Sequence, residues 1–217
     1  MTKQQQLRNA VVYMLPTIVS MVLPIITLPI ILKYLSPEEF GIYTISFAFG
    51  SVVVGFCQLS LFGVYERNHF YYPDTKNREE LLFTIVSFVL FTLLLVGTIL
   101  FYNKEFVSSW IAQNNNHGLL IFVTFMGVAF QSIINYYLSF FKNNGNAKLN
   151  VSVILITSLT LSALNIYFVA ILRIGPIGLS FGLFFTNLLI FLAVSTYLLS
   201  VIGYGINPML LYSSIKL

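Results

Sequence analysis

Of the 217 residues in this chain, 58% are hydrophobic and only 8% charged, and the mean hydropathy is +0.88. So little polar surface cannot clothe a water-soluble domain. The formal charge of +4 comes from eleven Lys and Arg scattered through short segments, a distribution that argues against nucleic acid as a partner, and the lone Cys57 leaves no disulfide framework or thiolate metal cluster.

Six long apolar stretches follow one another, at 10–35, 41–65, 81–102, 119–141, 151–172 and 177–202. Each reaches the roughly 20 residues that a helix needs to cross a bilayer core, where backbone groups must pair internally. The expected architecture is all-α, a polytopic membrane protein built as a bundle of six transmembrane helices within 1–203, with a short cytoplasmic tail at 204–217.

The first stretch holds Pro16, Pro24 and Pro29, which remove backbone donors and predict a bent helix. It is too long for a secretory signal and lacks a small-residue cleavage site, so it is expected to be retained. A tight turn at 36–40 carries the adjacent Glu38 and Glu39, which read as solvated or capping groups rather than an acid–base pair. The second stretch places Ser51, Gly55 and Gln58 along one helix face. The polar link 66–80 follows, with Asp74 or Thr75 as the expected cap of the third helix. A longer polar loop at 103–118 leads to the fourth stretch, which aligns Gln131, Asn135 and Ser139.

The run Asn143-Asn144-Gly145-Asn146 marks a hairpin, because these residues tolerate left-handed backbone. The fifth stretch then presents Ser158, Ser162 and Asn165, and the sixth presents Thr186 and Asn187 after a Gly178-x-x-x-Gly182 pair that lets another helix backbone come close. Hydrogen bonding between helices is the plain explanation of such polar stripes.

Lys and Arg divide unevenly between the two sides. Lys3, Arg8, Arg67, Lys76, Arg78, Lys142, Lys148 and Lys216 fall on one, and only Lys33, Lys104 and Arg173 on the other. Cytoplasmic loops carry the excess, so both termini are expected in the cytoplasm. That topology separates the two histidines, His69 and His117, and disfavours a shared metal site. No phosphate-binding P-loop or nucleophile elbow is present, and Asn150-Val151-Ser152 is a glycosylation sequon on the wrong side. Enzymatic chemistry is not expected, nor a cofactor.

The segment Leu32-Lys33-Tyr34-Leu35-Ser36-Pro37-Glu38-Glu39-Phe40-Gly41-Ile42-Tyr43 resembles the R-Y-L-G-P-E-E-F-G-x-Y signature of polysaccharide transporters, the Wzx-type O-antigen flippases of the multidrug/oligosaccharidyl-lipid/polysaccharide exporter superfamily, with Lys33 in place of the usual Arg. Gln58-Leu59-Ser60-Leu61 followed by Arg67, Gly145-Asn146-Ala147-Lys148-Leu149, and Gly175-Pro176-Ile177-Gly178-Leu179 are similar to later family segments in the same order.

The resemblance implies a transporter moving an undecaprenyl-diphosphate-linked oligosaccharide, an O-antigen or capsule repeat unit, from the cytoplasmic to the periplasmic leaflet of a bacterial inner membrane. Family members usually have twelve or fourteen spans in two six-helix lobes around a central cavity. This chain matches the N-terminal lobe, so a truncated or half-length form is expected, with a homodimer or a separate second lobe completing the cavity. For the diphosphate the basic candidates are Arg67, then Arg8 and Lys33; for sugar hydroxyls, Gln58, Gln131, Asn135, Asn165 and Asn187. Expected partners are the lipid-linked oligosaccharide, membrane lipids, and neighbouring glycan polymerase and glycosyltransferases. Two alternatives stand beside this: a multidrug or cation antiporter of the related exporter group, and an inactive remnant or scaffold in a glycan-export assembly.

Overall fold

Helix dominates because an apolar chain in lipid must satisfy its backbone within each segment. The computed structural model describes residues 3–72, 74–113, 115–207 and 209–210, with the side chains of 3–15 and Thr17 outside that description. The C-terminal residues 211–217 of the expected tail, Lys216 included, also lie outside the described residues.

Eight α-helices form, and no strand occurs among the described residues. They are α1 (Lys3–Ile31), α2 (Pro37–Cys57), α3 (Leu61–Tyr71), α4 (Thr75–Tyr102), α5 (Lys104–Ala112), α6 (Gly118–Asn143), α7 (Ala147–Ile166) and α8 (Ile177–Ile202). Five of these, α2, α4, α6, α7 and α8, are long and apolar enough to cross a bilayer. In α1 the described apolar part is Ile18–Ile31, and the helix continues through all three prolines.

Local chemistry sets most boundaries. At the start of α2, Ser36 Oγ accepts from the Glu39 N–H at 3.2 Å while the Ser36 N–H donates to Glu39 Oε2 at 2.8 Å, and Pro37 fills the first helical position. Glu39 is thus a capping residue. Between α6 and α7, Gly145 takes φ +72° and Asn146 N–H reaches back to Phe141 O at 2.8 Å, a helix-ending geometry that glycine adopts without steric cost. Asp74 occupies the capping position of α4 but makes no side-chain cap bond.

The structure departs from the expected second span. Instead of one helix over 41–65, α2 stops at Cys57, Leu59 and Ser60 adopt φ of 47° and 60°, and α3 begins anew at Leu61. Left-handed backbone at a leucine is sterically unfavourable, so the surroundings must hold it. Thr92 of α4 contributes, sharing its one hydroxyl proton between Val89 O of its own helix at 2.8 Å and the freed Cys57 carbonyl at 3.1 Å, and the Leu61 N–H bonds Gln58 O at 2.8 Å. Two further differences concern the third span and the loop after it. Helix α4 begins at Thr75 rather than at 81, and the polar segment 103–118 contains α5 and a 3-10 turn at Asn115–His117.

Helix α6 is the axis of the fold, packed by α8, α2 and α4, while α7 docks on α8 and carries α1 on its outer flank. The core that results includes Tyr65, Leu81, Leu82, Ile85, Val89, Phe125, Ile133, Tyr136 and Leu198. The alternating helices give two ends. The links 66–80 and 142–150 share the basic end, joined by Ser139 Oγ donating to Glu66 Oε1 at 3.1 Å. At the far end, Ile31, Leu35, Val169 and Leu179 cluster with Phe40 and Tyr43, and Arg173 lies 5.6 Å from the Tyr34 ring centre.

Candidate functional site

A cavity of about 400 Å³, lined by polar side chains together with Phe62, Leu138 and Ile154, opens near the basic end, between α3, α6 and the start of α7. One wall carries Gln58, Phe62 and Glu66. The break at Leu59-Ser60 restarts the helix so that Phe62 and Glu66, four residues apart, share a face. The floor is one stripe of α6, Ser132, Asn135, Leu138, Ser139 and Lys142, at helical spacing, and Asn150 and Ile154 of α7 close the third side.

Hydrogen bonds brace these walls. Ser139 donates to Glu66 Oε1 at 3.1 Å and accepts from Asn143 Nδ2 at 3.3 Å, while Asn150 Nδ2 donates to the Leu138 carbonyl at 2.8 Å, tying α7 to α6. Asn135 is exposed in a helix whose neighbouring residues are almost all buried. It lies about 26 Å along the α6 axis from Gly118, and Lys142 about 36 Å. A hydrocarbon core of about 30 Å beginning at Gly118 would take in Asn135 near its basic-end boundary and leave Lys142 outside.

Only part of the expected binding set meets here. Gln58 and Asn135 line the cavity, whereas Gln131 is half-buried on α6 and is not part of the lining. Arg67 is exposed on α3 beside Glu66, outside the lining. Lys33 is exposed in the turn after α1 at the far end. Arg8 belongs to α1, and its side chain lies outside the described residues.

Asn165 and Asn187 lie between helices, away from the cavity lining. Asn187 is buried in α8 and donates to the Gly127 carbonyl of α6 at 3.0 Å. Asn165 of α7 lies directly against Gly182, where a β-carbon would collide with its side-chain oxygen, and Gly178 similarly admits Phe168 and Val169. The Gly178-x-x-x-Gly182 pair is therefore the seat of α7 on α8. Buried Thr124 and Ser180 add a hydroxyl pair at 2.7 Å between α6 and α8.

Glu66, Lys142 and Asn150 were not expected in a site. The readable signal was the spacing of Ser132, Asn135, Ser139 and Lys142 along one face; Glu66 was hidden because α3 itself was not foreseen. His69 of α3 is fully buried, with Tyr65 Oη 3.3 Å from its Nδ1. Burial, with the nearby Arg78 guanidinium, holds its imidazole below the ordinary range. No group of three His, Cys, Asp or Glu suited to a metal occurs among the described residues.

No family model matches the sequence, and neither a curated protein nor a solved structure shows significant similarity to it.

Proposed function

We propose that this chain is a six-helix lobe of a membrane transporter for a lipid-linked oligosaccharide, carrying the sugar headgroup on its polyprenyl diphosphate from the cytoplasmic to the periplasmic leaflet of a bacterial inner membrane. The observation that carries the reading is the exposed Asn135 amide, on a helix long and apolar enough to cross a bilayer, lining a cavity with Gln58 and Lys142. An amide exposed to acyl chains loses its hydrogen bonds, so such a position is suited to water or to a polar cargo.

In this reading the basic end is cytoplasmic, following the Lys and Arg excess. Lys142 at the mouth supplies a point charge for phosphate, replacing Arg67 as the first candidate. Gln58 and Asn135 offer donors and acceptors to sugar hydroxyls. Asn165 and Asn187 are assigned to helix packing and leave the binding set. A second six-helix body, a second copy or a separate lobe, completes the passage, because alternating access works by one bundle moving against another.

Complementation tests this reading. In a bacterium lacking its polysaccharide flippase, the inserted chain restores surface glycan, alone or with a second lobe supplied, and Asn135→Leu and Lys142→Gln reduce the restoration at equal membrane abundance. Absence of glycan with confirmed insertion under both arrangements overturns it. The second reading, a cation-coupled antiporter, is favoured by one feature, the half-buried Glu66 carboxylate on the cavity wall. Its signature is a change in drug resistance abolished by Glu66→Gln, with surface glycan unaltered.

A further inference from the structure

Helix α5 divides into three sectors by helical angle. Lys104, Val107, Ser108, Ile111 and Ala112 face the protein: Ser108 is fully buried, and its hydroxyl accepts from the His117 N–H at 3.2 Å. Glu105 and Ser109 form an exposed polar strip. Phe106 and Trp110, one turn apart, form a separate exposed aromatic strip, 73% and 76% accessible.

The level of this helix relative to the membrane is set by its neighbours. Only Asn103 separates α5 from the end of α4, and one residue reaches at most about 3.6 Å. At Gly118, the first residue of α6, an added β-carbon would lie 2.8 Å from the Lys104 carbonyl oxygen. The start of α5 is thus held between the ends of two spans. Before it, α4 presents an apolar surface of Phe91, Leu94, Leu95, Ile99 and Tyr102, all exposed, and α5 with its exposed aromatic strip follows after one residue.

We propose that α5 is an interfacial helix, lying along the bilayer surface at the far end with Phe106 and Trp110 set into the boundary between lipid headgroups and acyl chains. A polar strip beside an aromatic strip on one short helix suits a place where water and hydrocarbon meet, and Trp is favoured there because its ring is apolar and its N–H needs a polar partner. The occupant of the strip is lipid. The placement fixes the far boundary of the bilayer at the level of Gly118 and does not depend on what the cavity carries.

Trp110 is the single tryptophan of the chain, so its fluorescence reports this position alone. The full chain is reconstituted into phosphatidylcholine vesicles whose acyl chains are brominated either near the headgroup or near the terminal methyl, with excitation at the red edge, where tyrosine does not absorb. Trp110 at the boundary gives quenching by the shallow-brominated lipid at least about twofold greater than by the deep one, with weak quenching by aqueous acrylamide. Three results overturn the proposal: strong acrylamide quenching without a bromine effect, which puts the helix in water; protection from both quenchers, which puts it against protein, a second copy included; and stronger quenching by the deep bromine, which buries it in the core. Trp110→Phe, which removes the signal, supplies the background.

Discussion

Replacing Gly127 by alanine tests a close approach of α6 and α8. A β-carbon there would lie 2.9 Å from Leu183 Cγ and 3.0 Å from the Phe184 backbone nitrogen, against about 3.5–4.0 Å for relaxed carbon contacts. The leucine can rotate, but the backbone nitrogen cannot, so α8 must move away from α6. That movement stretches the 3.0 Å bond from Asn187 Nδ2 to the Gly127 carbonyl. Overpacking costs about 1–3 kcal/mol and the weakened bond about 0.6 kcal/mol, offset by about 0.5–1 kcal/mol of gained helix propensity. The net expectation is a loss of about 0.6–3 kcal/mol. Gly55 is the matched control, exposed on α2 with nothing within 4 Å of an added β-carbon, so Gly55→Ala is neutral or stabilising by about 0.5–1 kcal/mol. Reversible unfolding of the detergent-solubilised chain in rising fractions of dodecyl sulfate, followed by circular dichroism, measures both. Equal midpoints for Gly127→Ala and Gly55→Ala would show that α6 and α8 do not meet at this distance.

Two more consequences follow from buried polar contacts. Thr124→Val and Ser180→Ala, made singly and together, should show a coupling of about 0.6 kcal/mol from their shared hydroxyl bond; a coupling of zero in the unfolding cycle would mean that α6 and α8 are not joined there. His69 is held neutral by burial and by Arg78, with its folded pKa below the ordinary value. In the unfolded chain an imidazole binds its proton near about pH 6.5. Stability is therefore full above that pH and falls as the pH drops toward the lower folded value, since only the unfolded state gains the proton in that window. Unfolding midpoints measured across this range should slope for the parent chain and flatten for His69→Phe; parallel slopes would refute the assignment.

Five long apolar helices were legible because length and apolarity are all that a bilayer asks of a crossing helix, and the capped turn at Ser36 and the hairpin at Gly145 were legible because their residues act through local backbone bonds. The break at Leu59-Ser60 was not. It contains neither glycine nor proline, and its backbone is held by Thr92, distant in sequence. Helix α5 was hidden for a different reason, since its polar start and nine residues read as loop beside much longer apolar stretches. The amides show the limit most directly. Spacing puts Gln58, Asn135, Asn165 and Asn187 each on a helix face, but whether that face meets another helix or a cavity depends on neighbours that only the fold supplies. Two of the four, Asn165 and Asn187, lie in contacts between helices.

The two ends of the fold are fastened by different chemistry, and this bears on how the proposed transport would proceed. Toward the far end, the aliphatic cluster of Ile31, Leu35, Val169 and Leu179, with Phe40 and Tyr43, joins α1, α2, α7 and α8. At the basic end the bracing is polar, through Glu66, Ser139 and Asn150. Alternating access requires the opposite arrangement as well, with the cluster parted and the basic end closed. The α1–α7 pair is the unit suited to that exchange, because it is fastened to the axis chiefly through α8 and the far cluster. Just after α7, moreover, the backbone widens to π-helix over Tyr167–Ile171, with Leu172 N–H reaching Tyr167 O at 2.9 Å. Such turns give a long helix a place to bend, and this one contains Val169, the member of the cluster that follows α7 and would have to move as the cluster opens.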